Sequence, residues 1–334
     1  MTAPEDVPGG GRSPSIVSYL QLFESAGILV LLAVVVLVAS VITTGFFTYA
    51  NLTNIAINAA IVAVTGLGMT FAIAAGGMDL SVGSLQALTA IVASALLHVT
   101  GIPVALLGAL LVGGACGLLN GLLITRLQMP PFVATFGMMS ILRGVSLLVT
   151  NGQSVMITGT PSYALINNGR VFGLPVPLVI VLVLWALLQL VLRHTPFGRH
   201  VCAIGGNAKA AVVSGIKVER TTLLVFAIVG LTAAISGVML SAQLLIVDGT
   251  LGAGFELQTI AIAVLGGTSL AGGSGSLTGT LLASLLLATL SSALNIFKVA
   301  AFYQYLYLGI LLVAALYLDT LRRSLIASSL LRRE

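Results

Sequence analysis

Apolar runs of about 20 residues recur between residues 27 and 318, each long enough for a helix to cross a hydrocarbon core of about 30 Å. Inside such a core every backbone N–H and C=O has to be paired within the chain, and a helix does this alone. The chain is 58% hydrophobic and 7% charged, where soluble domains run near about a quarter charged. The fold class that follows is all-α: a polytopic helical bundle in a membrane, one domain of about ten crossings. The 38 glycines fit close helix packing and broken helices better than flexible loops.

Taken in order, the 27–46 run is too long for a signal-peptide core and lacks a small-residue cleavage pattern, so it is read as a retained first span. Asn51 to Asn58 opens a second span that reaches Ala75 and ends in Gly76-Gly77-Met78-Asp79. A short third span covers 80–97, and a fourth ends at Arg126. Pro130-Pro131 breaks the chain before a fifth span that reaches Thr150. A polar loop follows over 151–175. Further spans cover 177–192, 221–247, 277–296 and 302–318, whereas 257–271 is short for a crossing. Eight crossings result if the 80–97 and 257–271 segments are re-entrant.

With ten crossings both termini share one side, and the cations indicate which. Arg12, Arg126, the five cations of 193–220, and Arg322, Arg323, Arg332 and Arg333 fall on one side, eleven in all; Arg170 and Lys298 fall on the other. Cytoplasmic loops collect Lys and Arg, so both termini and the 193–220 loop are expected in the cytoplasm. The division is then a cytoplasmic segment 1–26, a transmembrane domain 27–321 and a basic cytoplasmic tail 322–334. The net charge of +5 sits in loops with no solvated basic domain to carry it, so nucleic acid is excluded as a partner. Cys116 lies in an apolar run and Cys202 in the basic loop, and no disulfide is expected between them.

The 193–220 loop is the one long internal stretch where charge collects: Arg193, Arg199, Lys209, Lys217 and Arg220, with His194 and His200. Its middle alternates glycine turns with an alanine-rich helical piece over 207–214, which Gly215 stops. A basic loop carrying its own helix suggests that something docks there; a solvated loop that binds nothing is the alternative. Asp79 stands between two hydrophobic segments, where a carboxylate is costly unless solvated or paired. Asp79 or Ser81 also suits the N-cap of a helix beginning at Val82. Arg143 falls within the fifth span and can snorkel outward or pair with Glu256, a better partner by depth than Asp79. Asn58, Thr65, Thr70, Gln86, Asn120, Thr135 and Gln243 are polar groups that a solute path could use. Interhelical hydrogen bonds, worth about 0.6 kcal/mol each, are the competing role for every one of them.

Enzyme readings fail on the residues. No G-x-x-x-x-G-K-[ST] stretch exists to cradle ATP. Gly272-Gly273-Ser274-Gly275 has the G-x-S-G shape of intramembrane serine proteases, but His98, His194 and His200 all fall in turns or loops, leaving that serine no base. His200-x-Cys202 supplies two ligands where a tetrahedral metal site needs more.

Four blocks carry a resemblance: GMTFAIAAGGMDLSVGS (68–84), FVATFGMMSILRGVSLLVTNG (132–152), GRHVCAIGGNAKAAVVSGI (198–216) and FELQTIAIAVLGGTSLAGGSGSLTGTLLASLL (255–286). Together, in order and over nearly the whole chain, they resemble the permease subunits of ribose-type bacterial ABC sugar importers. The resemblance implies a multi-pass protein of the bacterial inner membrane with no cofactor of its own, ATP and Mg being held by a partner ABC ATPase. It also implies a periplasmic or lipoprotein sugar-binding protein, a second permease chain (identical or a close paralogue) and surrounding lipid. Lys209-Ala210-Ala211, three residues, then Gly215 is similar to the E-A-A-x-x-x-G signature of importer coupling segments, with Lys209 in place of the acid and no Ile-x-Leu-Pro following. On that basis Gly198, Gly205, Gly206, Asn207, Lys209, Ala210, Ala211 and Gly215 are the expected ATPase-coupling residues. Asn58, Asp79, Ser81, Gln86, Asn120, Arg143 and Glu256 are the expected candidates for the solute path. The loaded binding protein is expected to dock around 151–175 and 248–256.

The implied function is import of a monosaccharide such as ribose or xylose by alternating access. A branched-chain amino acid or a signalling furanose are alternative solutes, and an ion-driven carrier is the alternative mechanism, for which the sparse intramembrane acids offer no proton relay. GGMDLSVGS (76–84) also echoes GGTSLAGGS (266–274) at an offset of 190. Short glycine-interrupted segments in corresponding positions point to a central site in transporters.

Overall fold

The computed structural model describes residues 16–42, 45–300, 303, 306–311, 313–314 and 317, with side chains described from residue 27 onward. Arg12, the 322–334 tail and residues 302, 304–305, 312, 315–316 and 318 of the last expected span lie outside the described residues. In chain order the elements are α1 (Ile16–Ile42), α2 (Tyr49–Ala74), α3 (Val82–Thr100), α4 (Ile102–Thr125), α5 (Pro131–Thr150), β1 (Val155–Met156), α6 (Pro161–Asn168), β2 (Arg170–Val171), β3 (Leu174–Pro175), α7 (Val176–His194), α8 (Pro196–Gly206), α9 (Ala208–Val213), α10 (Val218–Leu244), β4 (Ile246–Val247), α11 (Phe255–Leu265) and α12 (Leu277–Ile296). Seven of these helices, α2 to α5, α7, α10 and α12, are long and apolar enough to cross a membrane.

The bundle is built around α2. Thr48 starts it by accepting the Asn51 backbone N–H, and from Ala59 to Ala74 every residue but Val62 is buried. Small side chains alternate with large ones along that run, so neighbouring helices close in on several sides. The most extensive helix pairing lies between α4 and α10, where Gly113, Gly117 and Gly121 repeat every four residues on one face of α4. A β-carbon on Gly117 would overlap the Phe226 carbonyl, and one on Gly121 would lie 3.0 Å from Leu223 Cα. Without a hydrophobic drive between helices in lipid, such backbone approach is what holds two of them together. α1 and the turn after it lie against α12 through Ala39 and Phe46 on one side and Ala288 and Ala293 on the other.

Two expectations are corrected. The expected 80–97 span is a helix of membrane-crossing length, Val82–Thr100. The 257–271 segment is not: α11 has 11 residues and gives way at Gly266 to a glycine-rich turn that leads into α12. Beyond α7, where the glycine spacing suggested turns, Pro196–Gly206 forms an amphipathic helix started by Thr195, whose hydroxyl accepts the Gly198 N–H. Proline at the first helical position offsets the glycines there.

The 151–175 loop carries short structure. β1 pairs antiparallel with β4, Val155 opposite Val247, and β2 pairs with β3 as a small hairpin. This loop sits at the end of the bundle where α2 begins: the Arg170 guanidinium lies 5.4 Å over the Tyr49 ring. α8 and α9 sit at the opposite end, beside Ala74.

Candidate functional site

Near the Tyr49 end, a cavity of about 360 Å³ opens between α2, the last turn of α10, the start of α11, α12 and the segment around Tyr307. Its polar groups are the amides of Asn58, Gln243, Gln258 and Asn295 and the hydroxyls of Ser284, Ser291 and Tyr307. Ile61, Phe255 and Leu287 supply apolar surface, and no charged residue lines the wall among the described residues. Gln243 Nε2 donates to Asn58 Oδ1 at 2.9 Å, tying α10 to α2 across the wall, and the Ser291 and Tyr307 hydroxyls lie 2.6 Å apart. Neutral amides and hydroxyls backed by apolar and aromatic surface suit an uncharged, polyhydroxylated ligand.

The wall has an irregular part. After β4 the chain runs inward without forming helix: Asp248 accepts from the Thr250 N–H and hydroxyl, both at 2.7 Å. Gly252, at φ +69°, then lies against Gly83 and the Gln86 side chain. Gly254 starts α11. Such backbone at membrane depth persists only where protein satisfies its polar groups. Burial alone would raise the Asp248 carboxyl; hydrogen bonds from Thr250, Leu251 and Ser154 outweigh it and hold the carboxyl below its usual range.

Of the expected path residues, Asn58 lines the cavity and Gln243 joins it. The others lie elsewhere. Gln86 is fully buried and donates to Thr65 at 3.0 Å and Ser236 at 2.9 Å, binding α3 to α2 and α10. The Thr70 and Thr280 hydroxyls meet at 2.8 Å, and Thr135 donates to its own helix at Pro131. Asp79 is fully buried below the cavity in a knot with Ser81 and Asn120: its Oδ1 accepts from the Ser81 N–H and hydroxyl, and its Oδ2 from Asn120 at 3.0 Å. The expected N-cap is therefore corrected. Ser81 occupies that position without a side-chain capping bond, and Asp79 bonds Ser81 rather than the first helical turn. The expected Arg143–Glu256 pair is corrected too. Arg143 donates to the carbonyls of Gly249 at 2.7 Å and Leu251 at 2.9 Å, and the ion pair among the described residues joins Arg126 to Glu219. Glu256 Oε1 accepts from the Gly254 N–H at 3.3 Å.

Gln258, Ser284, Ser291, Asn295 and Tyr307 were missed. Ser284, Ser291 and Asn295 stand at i, i+7 and i+11 on α12, one helical face, and that spacing was legible.

At the Ala74 end, Asn207 caps α9 by accepting the Ala210 N–H at 3.0 Å, Ala211 faces inward, and Gly215 ends the helix at φ +79°. Val213 is 89% exposed and Lys209 also faces out. α8 rests on α2, with Phe197 stacked on Phe71 at 6.2 Å. The two glycine turns that echo each other converge on Gly205: Gly76 approaches from the end of α2, and Gly272 and Gly273 from the α11–α12 turn. Gly273 N–H donates to the Ala74 carbonyl at 2.9 Å, and a β-carbon on Gly205 would overlap that same carbonyl. Gly198 packs as tightly on the last residues of α7, and Gly206 lies over Gly273. Burial pushes the Cys202 thiol on α8 above its usual range.

Comparisons with known proteins agree with this architecture. Residues 51–316 match the family model described as the permease component of the branched-chain amino acid transport system. The ribose import permease RbsC of Bacillus subtilis (strain 168) is 38% identical over 293 residues, covering 86% of this chain and 90% of that protein. The L-arabinose ABC transporter permease AraH of Azospirillum brasilense is 34% identical over 305 residues, covering 91% and 90%. The D-allose transport system permease AlsC of Escherichia coli (strain K12) is 34% identical over 309 residues, covering 91% and 94%. No solved structure matches the chain. The chain belongs to the family of ribose-type monosaccharide ABC transporter permeases.

Proposed function

We propose that this chain is the membrane-spanning permease of an ATP-driven importer and that the cavity walled by Asn58, Gln243, Gln258 and α12 is the outward half of a monosaccharide path. The observation that carries the reading is the wall itself: amides, hydroxyls and apolar surface without a charge. A sugar exchanges its water hydrogen bonds for such groups with little net loss. A carboxylate or ammonium solute would be left without a counter-charge there.

In this reading the seven long helices, α1, the 302–318 segment, and α11 taken together with the glycine-rich turn that follows it make ten crossings, with both termini in the cytoplasm of a bacterial inner membrane. The cations at Arg126 and along 193–220 support that orientation, since Arg170 and Lys298 are all that stand at the other end among the described residues. The loaded binding protein docks over 151–175 and 248–256. A partner ATPase, which holds ATP and Mg, seats α8 and α9 in its groove. A second permease chain, identical or closely similar, and lipid cover the apolar outer faces.

The test is uptake by proteoliposomes holding the permease with its ATPase and binding protein, challenged with ribose, arabinose, allose and leucine. ATP-dependent uptake of a monosaccharide, lost when 205–215 is deleted, supports the reading. Uptake that continues without the ATPase, or accumulation of leucine alone, overturns it.

A further inference from the structure

Among the described residues Arg143 is the one charged side chain in the middle of a membrane-length helix. Such a group is expensive there and is kept for a reason. Its Nη1 donates to the carbonyls of Gly249 and Leu251, two bonds from one nitrogen to the inward-running segment. The segment's own backbone bonds run from Leu251 to Asp248, Ala253 to Thr250 and Phe255 to Gly252, at 3.0 to 3.3 Å, and outside it Ser154 donates to Asp248 while Gly252 rests on Gly83 and Gln86. From it, Ala253 and Phe255 project into the cavity wall. Burial opposes the guanidinium's charge, and the carboxylates of Glu256 and Asp248 offset part of that cost electrostatically.

We infer that Arg143 is a positioning residue for the solute path: by clamping the Gly249 and Leu251 carbonyls it holds the 248–254 segment so that Ala253 and Phe255 form the wall. This rests on the cavity being that path. Without the clamp the two carbonyls lose charge-assisted bonds where water is scarce, and the segment has a reason to swing toward the aqueous end. Because a single nitrogen makes both bonds, an ammonium can stand in for the guanidinium, whereas an apolar side chain of similar length cannot.

The test places a spin label at Ala253→Cys in a chain whose Cys116 and Cys202 are replaced, reconstituted with its ATPase and binding protein. The label is expected to be immobilised with Arg143. In Arg143→Met its mobile population rises about tenfold, the scale of one lost charge-assisted bond, while ATP-dependent uptake falls. In Arg143→Lys both are largely restored. Should Arg143→Met not reach the membrane, Arg143→Leu, which likewise has no donor, carries the same comparison. An equally immobile label in the membrane-inserted Met or Leu chain, or no rescue by Lys, overturns the clamp. A mobile label with undiminished uptake leaves the clamp standing and overturns the cavity as the solute path.

Discussion

Gln243 reaches across the cavity wall to donate a 2.9 Å hydrogen bond to Asn58, so the last turn of α10 and the middle of α2 are joined at the surface a solute would touch. Replacing Asn58 with leucine removes that acceptor and one sugar-facing amide together. Uptake is expected to fall about fivefold, the worth of one neutral hydrogen bond near 1 kcal/mol. Asn58→Gln, which keeps the amide, is expected to lose less. Initial rates in proteoliposomes decide, and equal losses in both variants would show that Asn58 acts through shape alone.

Gly205→Val puts a branched side chain where the Ala74 carbonyl and the Gly273 N–H already lie. Nothing flexible stands there to give way, so α8 has to lift from α2 and from the α11–α12 turn. ATP hydrolysis by the assembled complex is expected to continue while uptake is lost. Gly215→Ala is a control in open space, where only the positive φ opposes the new side chain, at about 1 kcal/mol. Parallel assays of phosphate release and uptake in the same vesicles separate the two.

Asp79→Asn is expected to be mild and Asp79→Leu severe. Asn120 Oδ1 is buried without a partner, so a rotated Asn120 amide can accept from the side-chain amide that Asp79→Asn introduces. Leucine instead strands the Ser81 and Asn120 donors, at about 1 to 3 kcal/mol for each unpaired group. Thermal unfolding in detergent should rank the native chain and the Asn variant close together, with Leu well below.

Asp248 gives a pH dependence. Its folded pKa is depressed, so its contribution to ordering the 248–254 segment is complete above the ordinary aspartate pKa and fades only as pH falls through the lower, folded value. The spin label at Ala253 is therefore expected to report constant order from neutral pH down past about pH 4, where free aspartate titrates, and to loosen only in stronger acid. Asp248→Asn should remove the acid transition. A transition unchanged in that variant would assign it to another group.

The sequence makes legible seven helices of membrane-crossing length and the short helix at 208–213, because each is a local pattern: an unbroken apolar run, or an Asn cap with a Gly stop. It could not show that α11 stops after 11 residues, since the chain stays apolar or small through Ala271 and only the meeting of Gly266 with Gly279 fixes where the helix ends. Asp79 and Gln86 looked like path residues for a similar reason. A polar side chain in an apolar helix reads the same whether it faces a solute or another helix, and partners such as Ser236 lie 150 residues away. Asn58 differs from Gln86 only in having empty space beside it.

Beneath the cavity floor, Ile262 of α11 presses into the gap left by Gly66 of α2, with the Thr280 methyl closing the third side. The threonine hydroxyls nearby are spent on each other, and Gln86 gives both amide hydrogens to Thr65 and Ser236. Among the described residues, the hydroxyls and amide hydrogens under the cavity are thus engaged within the bundle. In electrical terms this packed floor is a layer of insulation beneath the cavity.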